Sequence, residues 1–160
     1  MKVLLINVPS KYAAVTTADW DTTAEDIGAF PPIGLSYVAG YLVKYANHDV
    51  KILDTLAERL DYDEIEKRII EYKPDIVGMT AFTPSFYDVL RAARLIKKNI
   101  PNCYVCVGGT QHIKMYLKET LHHPEIDFVV RGVGEFIFAN LLNALQKGTP
   151  LSDVEGISFK

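Results

Sequence analysis

Five short apolar runs alternate along this chain with segments whose apolar residues recur at helical spacing. That alternation restricts the chain more than any single motif does, because β-α-β units build a parallel sheet with helices packed on its faces. The runs predict strands at Lys2–Asn7, Asp49–Asp54, Asp75–Thr80, Cys103–Gly108 and Asp127–Arg131. Several are near-continuous in Val, Ile and Leu, as strands covered on both faces are. Helical spacing links Val38, Tyr41, Leu42 and Tyr45, then Tyr62, Ile65, Ile69 and Tyr72, then Phe86, Val89, Leu90, Ala93 and Ile96, and finally Phe138, Leu141, Leu142 and Leu145. Pro84-Ser85 opens the third helix, Asn99 to Pro101 closes it, and Gly148 with Pro150 stops the fourth. The expected fold is α/β: a three-layer αβα, doubly wound parallel sheet of five strands in the flavodoxin-like order 2-1-3-4-5. Gly156-Ile157-Ser158-Phe159 is a possible extra edge strand.

The 160 residues suit one domain with a single core, spanning 1–160. The abrupt end after the last strand leads us to expect a piece of a longer enzyme. With 49% hydrophobic residues, 23% charged residues and a net charge of -3, the chain has no basic footprint for nucleic acid or anionic membrane. The apolar run after Met1 stops at Asn7, too short for a secretory signal. The uncharged stretch from Ile27 to Val43 carries two prolines and falls short of a membrane span. A cytoplasmic location is expected.

Cys103 and Cys106 form a Cys-x-x-Cys, but on a strand a separation of three sends side chains to opposite faces. They are expected as two buried strand thiols rather than a metal or disulfide pair. His48 and the pair His122-His123 fall in polar turns and are expected to face solvent, while His112 either meets a ligand or packs at a helix start. No metal site follows from the four histidines.

Small and hydroxyl residues gather where the strands end: Asn7-Val8-Pro9-Ser10, Thr80-Ala81-Phe82-Thr83, Gly108-Gly109-Thr110 and Arg131-Gly132-Val133-Gly134-Glu135. In an open parallel sheet these positions converge on the edge where ligands bind. The 25-residue connection from Val8 to Pro32 is long for a β-α link and is expected to be functional. A dinucleotide site needs Gly-x-Gly-x-x-Gly directly after the first strand, yet no glycine occurs between Asn7 and Gly28. A phosphate-loop signature is absent, and Val8-Pro9-Ser10-Lys11 offers one hydroxyl where a flavodoxin needs several. Asp54 is placed to grip a ribose or to serve as an ordinary strand-end carboxylate.

The segments Pro31-Pro32-Ile33-Gly34-Leu35-Ser36-Tyr37-Val38-Ala39-Gly40-Tyr41-Leu42, Pro74 to Thr80, Val107-Gly108-Gly109 with His112, Asp127 to Glu135 and Val154 to Phe159 occur in an order that resembles the amino-terminal cobalamin-binding domains of cobalamin-dependent radical S-adenosylmethionine enzymes. The resemblance implies cobalamin at the carboxyl edge of the sheet, with its nucleotide tail sliding between sheet and helices. It implies cofactor contacts from Pro9, Ser10, Thr80, Phe82, Thr83, Gly108, Gly109, Thr110, His112, Gly132, Gly134 and Glu135, and no catalytic residue in this chain. It further implies a parent enzyme in which a radical S-adenosylmethionine domain of the same chain holds a [4Fe-4S] cluster and moves a methyl group from S-adenosylmethionine through cobalt to a substrate. This chain lacks the Cys-x-x-x-Cys-x-x-Cys triad for that cluster, so alone it is expected to be inactive. Two departures stand out: Asn7-Val8-Pro9-Ser10-Lys11-Tyr12 replaces the Asp-x-His-x-x-Gly of other cobalamin proteins, and Val133 replaces a customary carboxylate. Two other readings remain: a flavodoxin-like electron-transfer protein using flavin mononucleotide, and a non-enzymatic nucleotide-effector domain whose charge-poor Phe30 to Tyr45 surface meets a partner.

Overall fold

In a computed structural model, which describes residues 1–9, 31–109 and 111–160, six strands form one sheet in the order β2-β1-β3-β4-β5-β6. Strands β1 (Lys2–Asn7), β2 (Asp49–Asp54), β3 (Ile76–Thr80), β4 (Tyr104–Gly108) and β5 (Phe128–Val130) are mutually parallel. The order among these five is 2-1-3-4-5, as the sequence predicts. The segment at the chain's end does pair: β6 (Ile157–Phe159) runs antiparallel to β5, and the sheet is therefore mixed. Asp75, Cys103, Asp127 and Arg131 lie just outside the strands they were expected to join.

Two apolar layers sandwich the sheet. On one face α1 (Ile33–Tyr41), extended by a π-helical turn at Leu42–Ala46, and α6 (Gly134–Lys147) bury Leu35, Leu42, Phe138, Leu141 and Leu142 against Val3, Leu5, Ile76, Cys106 and Phe128. On the other face α2 (Tyr62–Tyr72), α3 (Phe86–Asn99) and α4 (Gln111–Met115) bury Ile65, Ile69, Val89, Ile96 and Ile113 against Leu4, Ile6, Val77, Val105 and Val107. The alternation along each strand follows from its period of two. It also places Cys103 in one layer and Cys106 in the other, both free, as the spacing requires.

Local chemistry fixes the element ends. Asp61 accepts from the Glu64 backbone N–H and Glu64 accepts from the Asp61 N–H, a capping box that starts α2. Between β4 and β5 the chain forms α4 and α5 (Leu117–His122), which the sequence reading did not anticipate. At five and six residues they are too short to display a helical period. Asp127, just before β5, accepts from the Val105 N–H and from Lys97 Nζ, both at 2.7 Å, and so ties β5 to β4 and α3. His48 is buried rather than solvent-facing: its Nδ1 lies 3.4 Å from the amino terminus, where the start of β1 folds over the turn before β2. Among the described residues no helix is long and apolar enough to cross a membrane.

Candidate functional site

The register of the strands carves a cleft into the face covered by α1 and α6. Leu5, Gly78, Cys106 and Phe128 form one row across the sheet, and Thr80 pairs with Gly108 one step nearer the carboxyl edge. In the first row the two large side chains flank a glycine and a cysteine, so the row dips in its middle. At the second row Gly108 leaves the backbone bare, since a Cβ built there would come no closer than 3.9 Å to Val130. Leu35 and Val38 of α1 and Gly134, Glu135 and Phe138 of α6 close the sides. The result is a cleft of about 260 Å³, open at the carboxyl end of the sheet.

Backbone shape at its mouth depends on glycine. Gly109 has φ +129°, and a Cβ there would stand 2.5 Å from the Ala81 carbonyl oxygen. That close approach is held by the Ala81 N–H, which donates to the Gly108 carbonyl at 2.7 Å and continues the β3–β4 pairing past the strand ends. At the start of α6, Val133 supplies no side-chain cap, and Gly134 lets α1 approach, with Val38 3.5 Å from where a Cβ would be. Tyr41 meets Phe136 edge-on at 4.9 Å and locks the two helices together beyond the cleft.

Of the residues singled out in the sequence, Thr80, Phe82, Gly108, Gly109, Gly132, Gly134 and Glu135 all line this cleft. Thr83 and His112 are not among them. They line a separate hollow of about 350 Å³ on the opposite layer, together with Phe86, Tyr87, Leu90, Tyr116 and Glu119. His112 stacks on Phe86 with ring centroids 4.0 Å apart, and neither ring nitrogen has a hydrogen-bond partner. Burial holds it below the usual histidine range, opposed in part by Glu119. Pro9 is buried and lines neither cavity, while Ser10 and Thr110 lie outside the described residues. Asp54 accepts from Asn7 Nδ2 at 2.8 Å and from the Ala57 N–H at 3.3 Å, which makes it a strand-end brace.

Sequence reasoning missed the floor and side walls: Leu5, Gly34, Leu35, Val38, Gly78, Cys106, Val130 and Phe138. One signal was available. A glycine in the middle of an otherwise apolar strand, as at Gly78, marks a close approach by something else. Cys106 adds no reactive group, because burial pushes its thiol far above the usual range and keeps it neutral. No cluster of His, Cys, Asp and Glu able to hold a metal ion occurs among the described residues.

Residues 21–142 match the family described as the B12 binding domain. The chain belongs to that family. Over its whole length it is 40% identical to an uncharacterized methyltransferase of Pyrococcus horikoshii, of which it spans 33%. It is 36% identical, over 85% of its length, to an anaerobic magnesium-protoporphyrin IX monomethyl ester cyclase of Rubrivivax gelatinosus, of which it spans 25%. The B12-binding domain thus spans a third or less of these curated relatives. Two solved structures share its fold. The radical S-adenosylmethionine methyltransferase TsrM from Kitasatospora setae, with cobalamin and a [4Fe-4S] cluster bound, superposes with a TM-score of 0.75 at 19% identity, covering 98% of this chain and 28% of TsrM. The cobalamin-dependent S-adenosylmethionine radical enzyme OxsB with aqua-cobalamin gives 0.75 at 20% identity, covering 99% of this chain and 20% of OxsB.

Proposed function

We propose that this B12-binding domain holds cobalamin by its nucleotide tail in the cleft between β3, β4, α1 and α6. The observation that carries the reading is the bare backbone at Gly108, which with Gly78 on the cleft floor opens an apolar slot at the sheet edge. At about 260 Å³ the cleft lies just under the usual range for whole-ligand pockets, roughly 300–1,000 Å³, so it suits part of a ligand. A tail would fit inside, and Phe82, Gly109 and Gly132 at the exposed edge would hold the corrin. Thr80 offers one hydroxyl beside the tail base. The first-turn amides of α6, at Gly134 and Glu135, suit an anionic or amide group. Thr83 and His112 stand outside this site.

Bound cobalamin would supply a cobalt that carries a methyl group. The [4Fe-4S] cluster of such a reaction would lie elsewhere, since this chain has only two cysteines and they face opposite sides of the sheet. We therefore read residues 1–160 as the cofactor module of a longer, cytoplasmic radical S-adenosylmethionine methyltransferase or related enzyme. In that reading a partner domain of the same chain brings S-adenosylmethionine and a [4Fe-4S] cluster, and the module alone is inactive. The two free, buried thiols agree with a reducing compartment.

The test mixes purified protein with hydroxocobalamin or flavin mononucleotide, removes free ligand on a desalting column and reads the absorbance. Corrin retained without flavin is the expected result. Flavin retained without corrin would replace this reading with an electron-transfer role.

A further inference from the structure

We infer that the cleft discriminates among cobamides by their lower base, accepting a benzimidazole-type base and disfavouring a purine. The inference rests on the cobalamin reading above and deepens it.

The walls carry the argument. Leu5, Leu35, Val38, Val130 and Phe138 surround the inner cleft with hydrocarbon, and Cys106 contributes a neutral thiol, at best a weak donor. Thr80 supplies the hydroxyl of the sheet side, level with Gly108, and Glu135 sits at the mouth on the first turn of α6. The inner end of the slot therefore has apolar surface on its sides and a weak donor on its floor.

A benzimidazole joined to its ribose through one ring nitrogen has one polar atom left, the second ring nitrogen. Thr80 can satisfy it, and the fused carbocycle meets hydrocarbon. An adenine joined in the same way buries the same nitrogen plus two more ring nitrogens and an exocyclic amine. Those three groups lose their water and face Leu5, Phe138 and Val130. An unpaired buried polar group costs enough to weaken binding by about tenfold or more, so even two of them give a preference of about 100-fold.

Gly78 sets how deep the base reaches. A Cβ there would lie 2.7 Å from Leu5 Cδ2 and 3.4 Å from Phe138 Cζ. Both neighbours are side-chain ends that can yield, and the space they yield into is the slot. Gly78→Ala should thus shorten the slot without breaking the sheet.

The experiment measures affinities of the intact 160-residue chain for three corrinoids by quenching of intrinsic fluorescence. They are cobalamin, the cobamide carrying adenine as lower base, and cobinamide, which has no nucleotide tail. The expected order is cobalamin tightest, the adenine cobamide about 100-fold weaker, and cobinamide weak and indifferent to Gly78→Ala. Gly78→Ala should weaken cobalamin at least tenfold, with circular dichroism confirming that the variant is folded. Equal affinities for cobalamin and the adenine cobamide, or tighter binding of the latter, would overturn the discrimination while leaving the cobalamin reading intact. Binding of none of the three would overturn the cobalamin reading itself.

Discussion

The adjacent glycines Gly108 and Gly109 should respond oppositely to the same small substitution. In Gly109→Ala the new methyl would stand 2.5 Å from the Ala81 carbonyl oxygen, whereas ordinary contact begins at 3.4 Å, and the obstacle is backbone that cannot swing away. The φ of +129° adds strain of about 1–3 kcal/mol for a residue with a Cβ. Separating the two segments also weakens the 2.7 Å hydrogen bond from the Ala81 N–H to the Gly108 carbonyl, worth about 1 kcal/mol. The sum is about 3 kcal/mol, a large part of the 5–15 kcal/mol typical of a domain, and corresponds to a fall in Tm of about 6–12 °C. In Gly108→Ala the methyl meets Val130 at an ordinary 3.9 Å, on backbone whose φ is not positive, so stability should change by less than about 0.5 kcal/mol. The same methyl projects into the cleft, and the larger Gly108→Val should cut cobalamin retention at least tenfold. Urea unfolding followed by fluorescence measures the first effect, and spin-column retention of hydroxocobalamin measures the second. If Gly108→Ala destabilised the protein as much as Gly109→Ala, the assignment of one glycine to the fold and its neighbour to the ligand would be wrong.

Three further outcomes are expected. His112 and His48 are both held below the ordinary histidine range by burial, so the unfolded chain binds protons that the folded chain refuses. Stability should be complete above about pH 6.5 and decline as the pH falls below it, and His112→Phe should flatten part of that decline in thermal melts at pH 5; an unchanged slope would exclude His112 as a source. Burial pushes the Cys103 thiol up to about 12 and the Cys106 thiol higher still. Iodoacetamide at pH 8 should therefore label neither in the native protein and both in urea, as read by intact mass. Asp127→Ala removes the acceptor of both Lys97 and the Val105 N–H. It should cost about 1–2 kcal/mol by urea unfolding, and a loss below about 0.3 kcal/mol would show that β4 and β5 hold together without it.

The sequence announced those features that follow from a period. Continuous apolar runs placed β1 to β5 within a residue or two, and the expected flavodoxin-like order 2-1-3-4-5 is the one observed. The odd spacing of Cys103 and Cys106 correctly sent them to opposite layers. Features that depend on tertiary neighbours were hidden. His48 sits in a polar turn by sequence, and only the fold of β1 over that turn buries it. Asp54 offered two readings until Asn7, 47 positions away, claimed it. At the cleft, the glycines and hydroxyls at strand ends were legible, but the walls were not, because Val38 and Phe138 read as ordinary helix core. His112 shares an edge of the sheet with Gly109 yet turns to the other layer, a choice that Phe86 makes by stacking on it.

The dip at Gly78 and Cys106 lies among buried side chains, at a level where a sheet of this kind would normally be filled from above by a large residue. Leu5 and Phe138 cover part of that dip, the cleft beside them stays open, and a bound tail base would fill it. Folding and cofactor loading would then be one linked equilibrium: at a hundred times the dissociation constant, cobalamin should add about 2.7 kcal/mol to the unfolding free energy. Without its cofactor the domain would be in its least stable form and more readily cleaved by a protease.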